Sequence, residues 1–92
     1  MPHFPRMSGR ELVGCLVLDG WTEHHYNVRG GETPTRALLE KDGFESRSIA
    51  LAHVHTERRV RAICESVRIT AEKLGELMRK YAELIPANAR RT

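Results

Sequence analysis

Apolar residues recur along this chain at two periods. Leu12, Val13, Leu16 and Val17 fall at helical spacing, as do Val60, Ile63, Cys64 and Val67, and then Leu74, Leu77, Met78, Tyr81 and Ile85. Positions i, i+3, i+4 and i+7 share one face of a helix, so three amphipathic helices are predicted. Between the first stripe and the second the pattern tightens to near alternation. Residues 21–29, 35–41 and 44–54 are rich in Thr, His, Tyr, Val, Leu and Ile, and alternation is the period of a half-buried strand.

Local chemistry marks the boundaries. Ser8-Gly9-Arg10-Glu11 has the spacing of a capping box, so a helix should start at Gly9. Asp19-Gly20 should end it, because glycine takes the left-handed conformation at no steric cost. Asp42-Gly43 is a two-residue hairpin signal between the second and third strands. Thr56 and Thr70 are placed as N-caps of the last two helices, and Pro86 stops the final one. The expected architecture is α+β: an α-β-β-β-α-α two-layer sandwich, with a three-stranded antiparallel meander and the helices on one face. All 92 residues form a single domain, with an extended arm over 1–7, a globular core over 8–85 and a polar tail over 86–92.

Composition adds limits. Apolar residues make up 40% and charged residues 29%, which suits a folded domain with a small core. No apolar run is long enough to span a bilayer, and no secretory h-region is visible, so a cytoplasmic protein is expected with no membrane partner. Cys15 and Cys64 both fall on apolar helix faces and are expected to be reduced, buried thiols. The net charge of +3 permits nucleic-acid binding without requiring it. Arginine placement says more: Arg58, Arg59 and Arg61 fall at the start of the second helix. There they either meet phosphate, aided by the positive helix end, or form a solvated face with ordinary helix ion pairs.

Four histidines lie in the predicted strands: His24 and His25 in the first, His53 and His55 at the end of the third. Two histidines can serve as base and acid in RNA cleavage by 2′-hydroxyl attack, so one of the first pair with one of the second is a candidate catalytic set. Taken singly, each also reads as a plain surface histidine. His53-x-His55 with Glu57 or Cys64 lacks the closed spacing of a zinc site, so no metal and no other cofactor is expected. Trp21 is expected to pack the first helix on the sheet. The long last stripe over residues 71–85 either packs on its own domain or pairs two copies, so the chain is expected to be a monomer or a homodimer through that helix.

Five segments, in order, resemble the HicA family of toxin ribonucleases. They are PRMSGRELVGCLVLDGW at 5–21, RGG at 29–31, KDG at 41–43, IALAHVHTE at 49–57 and RAICESVRITAEKL at 61–74. The resemblance implies a fold like that of double-stranded-RNA-binding domains. It also implies metal-independent endoribonuclease action on mRNA and neutralisation by a HicB-like antitoxin protein. RNA contact would involve Arg29, Gly30 and Gly31 with Arg58, Arg59 and Arg61. After Arg29-Gly30-Gly31 the family places its catalytic histidine, and this chain has Glu32. A carboxylate there is charged at neutral pH and repels phosphate. The second expectation is therefore a catalytically silent module that binds RNA or a protein on the same frame, as an inhibitor protein of a phage or mobile element would.

Overall fold

The computed structural model describes residues 3–25 and 35–84. The elements run β1 (Met7–Ser8), α1 (Gly9–Leu18), β2 (Thr22–His25), β3 (Arg36–Glu40), β4 (Arg47–Ala50), β5 (Val54–His55), α2 (Glu57–Ser66) and α3 (Ala71–Leu84). The fold is α+β, with a three-stranded antiparallel sheet in the order β2-β3-β4 and three helices. Cross-strand pairs include His24 with Leu38 and Leu38 with Ser48, so side chains two apart share a face. Ala37, Leu39 and Ile49 are buried and join Leu12, Leu16, Val60, Cys64, Leu74 and Leu77 in one core. Thr22, His24, Arg36 and Glu40, on the opposite face, are exposed.

Helix starts follow their caps. The Glu11 N–H donates to Ser8 Oγ at 3.1 Å, the Arg59 N–H to Thr56 Oγ1 at 3.2 Å, and the Lys73 N–H to Thr70 Oγ1 at 3.1 Å. The ends of α1 and α2 share one device. The Trp21 N–H reaches Leu16 O at 3.1 Å and the Gly20 N–H reaches Val17 O at 3.0 Å, with Gly20 at φ 102°. The Ile69 N–H reaches Cys64 O at 2.8 Å and the Arg68 N–H reaches Glu65 O at 3.2 Å, with Arg68 at φ 62°. Both are Schellman closures, with Trp21 and Ile69 as the apolar residues that follow. Only the first has the glycine that the left-handed position favours, so Arg68→Gly is expected to stabilise the fold by about 0.5–1 kcal/mol. Urea denaturation checks this, and a midpoint at or below that of the wild type would refute it.

Two expectations need correction. The third strand does not run unbroken over 44–54: pairing stops at Ala50, residues 51–53 bend, and Val54–His55 leaves the sheet to pair with Met7–Ser8. The cause is the start of α1. Gly9 lies against the Ala50 carbonyl, and its N–H donates to His53 O at 2.9 Å, so the helix end occupies the path a straight strand would take. The hairpin is also longer than a two-residue turn, because β3 and β4 pair only from Leu39 with Arg47. Phe44 folds back instead, with its N–H 3.1 Å from Lys41 O and its ring 5.5 Å from Trp21. The described part of the N-terminal segment reaches the core. Met7 is in β1 and 3% exposed, and Phe4 packs partly against the core.

The last helix packs on its own domain. Leu74 and Leu77 are buried, and the Tyr81 ring lies where a side chain on Gly14 of α1 would be. Trp21 is buried, as expected. Cys15 and Cys64 are free and fully buried. Burial pushes the Cys15 thiol up to about 12, helped by the negative charge of Glu11 and by Cys64, and pushes the Cys64 thiol up to about 11. Unfolded thiols ionise near 9.0 while the folded ones keep their protons, so these groups stabilise the fold below that pH and less as pH rises toward 11–12. At neutral pH both thiols should react with a thiol reagent only at the rate of unfolding. Rapid native-state labelling of either would contradict their burial.

Candidate nucleic-acid interface

The sequence placed acid–base chemistry on histidines and phosphate contact on arginines, and the fold treats the two groups differently. His24 lies on the exposed sheet face with Nε2 3.7 Å from Glu40 Oε2. His53 is exposed in the bend between β4 and β5. His55 is buried, and its Nε2–H donates to Ala50 O at 2.9 Å. That bond uses the ring to hold the turn out of β4, so His53 and His55 do not share the face of one strand. The backbone of His25 pairs with Ala37, and its side chain lies outside the described residues. Arg29, Gly30, Gly31 and Glu32 also lie outside them. Among the described residues no hydrogen bond joins two of the histidines, and no group of three or more His, Cys, Asp or Glu is placed to hold a metal ion.

The three arginines of α2 part company around the helix. Val60 and Cys64 point into the core. At 100° per residue, Arg59 falls on the flank shared with Ala62, Ile63 and Ser66, while Arg58 points outward and Arg61 lies on the other flank. Arg61 Nε is 3.3 Å from Glu65 Oε2, an exposed helix pair one turn apart. So Arg61 takes the solvated-face role, with Glu65 as its partner.

Arg59 instead faces β4. Between them runs a groove of about 310 Å³, lined on the strand side by Ser46, Arg47, Ser48 and Ile49, and on the helix side by Arg59, Ala62, Ile63 and Ser66. Two arginines and three serines are among its lining residues, and no Asp or Glu is. Arg47 is the residue that sequence reasoning missed. Its Nε is sealed from solvent and has no hydrogen-bond partner. Arg47 pairs with Leu39 and so shares the helix-facing side of the sheet. An alternation pattern started at Phe44 gave no reason to single it out.

No protein-family model, curated protein or solved structure matches the chain. The site therefore has to be judged on its own chemistry. Two other depressions are less suited to an anion. The larger, about 610 Å³, lies at the hairpin end of the exposed sheet face, where Glu40 and Asp42 balance His24 and Lys41. Lys41 is already engaged, with Nζ 2.9 Å from Asp19 O and 3.4 Å from Asp19 Oδ2. The other, about 520 Å³, is mainly apolar and includes Phe4, Ile69 and Glu65. Among the described residues no helix is long and apolar enough to cross a membrane.

Proposed function

We propose that this chain is an RNA-binding protein on a HicA-like frame, with the RNA backbone held along the groove between β4 and α2. The supporting observation is that groove: Arg47 of the strand and Arg59 of the helix both line it, with Ile49, Ala62 and Ile63, and no acidic residue does. Arginine meets phosphate through a planar fork of donors, and backbone contacts supply most of the affinity of such interfaces. Kinship with double-stranded-RNA-binding domains, and a HicB-like antitoxin that covers this face, belong to the same proposal. They rest on the five sequence segments and the helix–meander–helix order.

Binding without cleavage is the better reading of the catalytic question. Metal-independent cleavage needs a base for the 2′-hydroxyl and an acid for the leaving oxygen. His55 is held by a backbone carbonyl, and His24 lies on the opposite, exposed face of the sheet beside Glu40. Glu32 stands where the resemblance expects histidine, and a carboxylate is charged at neutral pH.

The test is RNA affinity across a salt series, with transcript integrity followed in the same samples. The wild type should bind with log K falling linearly against log salt, and the RNA should stay intact. Arg59→Ala should weaken binding about tenfold or more. The double variant Arg58→Ala, Arg61→Ala should weaken it only slightly. Efficient metal-free cleavage would replace this reading with that of an active ribonuclease, and equal losses in both variants would return all three arginines to one diffuse basic surface.

A further inference from the structure

We propose that the cavity between the N-terminal segment and the joint of α2 and α3 binds a small carboxylic acid with an apolar body, with Arg68 as the anchor for its carboxylate. The site is separate from the groove between β4 and α2, and the proposal does not depend on the RNA-binding reading.

The first support is the cavity itself. Its volume, about 520 Å³, lies within the range of small-molecule sites, about 300–1,000 Å³. Phe4 and Ile69 give it apolar wall, Thr70 and Ala71 bring the start of α3, and Glu65 and Arg68 are the charged residues of the lining. Such walls are too apolar for bare phosphate, which would lose its water without enough donors to replace it. An apolar body with one charged end matches them, because sites of this kind hold a ligand by apolar contact and orient it with a few polar groups.

The second support is the charge left over. Glu65 is already engaged, with Oε2 3.3 Å from Arg61 Nε. Arg68 is exposed, and its side chain makes no hydrogen bond or ion pair among the described residues. The carbonyls that end α2 are met by the Arg68 and Ile69 N–H groups, whereas α3 starts at the cavity with its positive end. The unmatched charge is therefore positive, and the ligand it fits is an anion.

The third support is the backbone of Arg68. At φ 62° it occupies the left-handed region, where a residue with a Cβ is strained and glycine is not. The same closure at the end of α1 uses Gly20. An arginine at this position costs stability and forms no polar contact of its own. A strained residue on the wall of a cavity is explained by what it does for a ligand, and here it supplies the cation.

The experiment follows backbone amide shifts of the full chain on titration with naphthalene-2-carboxylate at neutral pH and fixed salt. Naphthalene-2-carboxamide, with the same apolar body and no charge, is the control ligand. In the wild type the acid should shift Phe4, Glu65 and residues 68–71, and it should bind about tenfold more tightly than the amide. Arg68→Gly should fold more stably than the wild type yet bind the acid about tenfold more weakly, with acid and amide now equal. Phe4→Ala should weaken both ligands alike and keep the preference for the acid.

An acid preference that survives in Arg68→Gly would overturn Arg68 as the anchor. Equal binding of acid and amide by the wild type would overturn the carboxylate. Unchanged affinity in Phe4→Ala, shifts centred elsewhere, or no saturable binding of the acid would overturn the site. A short peptide ending in phenylalanine with a free carboxylate carries the same chemistry on a longer body. It should bind more weakly than the acid, and tighter binding would overturn the small-molecule claim.

Discussion

Gly9→Ala is expected to destabilise the protein by about 3 kcal/mol or more, a large share of the about 5–15 kcal/mol that keeps an ordinary domain folded. Gly9 is the first residue of α1 and is buried. A Cβ on it would fall inside the Ala50 carbonyl and 2.8 Å from Leu51 Cα. Those are backbone atoms at the end of β4, so neither can turn aside as a side chain would. Relief would require the helix to lift from the sheet. That movement would break the Gly9 N–H bond to His53 O and disturb the bend that carries His55 to Ala50 O. Chemical denaturation of the purified variant measures the loss. A variant within about 1 kcal/mol of wild type would show that α1 does not lie on β4 as described.

The second large effect is Leu74→Ala, expected to cost about 2–5 kcal/mol. Leu74 is fully buried within one copy of the chain, on a helix that the sequence alone left free to pack inward or to pair two molecules. In the fold it joins the core with Leu12, Leu16 and Val60. Removing its branched end leaves a cavity among core residues fixed on two other helices, so little collapse can offset the loss. The destabilisation should be independent of protein concentration. A loss that grows on dilution would instead assign α3 to an interface between copies.

Legibility in the sequence followed the range of the forces involved. Ser8, Thr56 and Thr70 are N-caps because a hydroxyl and an amide three residues on are enough to make one, and Gly20 closes α1 for an equally local reason. The left-handed residue that closes α2 is Arg68, and an arginine carries no such signal. The break after Ala50 was hidden for a different reason: it depends on Gly9, some forty positions away, arriving against the strand. The candidate site shows the same division. Arg59 was legible as a cation at a helix start. Arg47 became visible only once the register of β4 against β3 had turned it toward α2, and the paired histidines inferred from spacing were separated by the same break.

The central claim is that RNA lies along β4 and α2, and mapping the contact by amide chemical shifts tests it most directly. On titration with a single-stranded RNA, the largest shifts should fall on residues 46–49 of the strand side and on Arg59, Ala62, Ile63 and Ser66 of the helix, with Arg58 and Arg61 moving less. Shifts centred instead on Thr22, His24, Glu40 and Lys41, across the opposite face of the sheet, would contradict it.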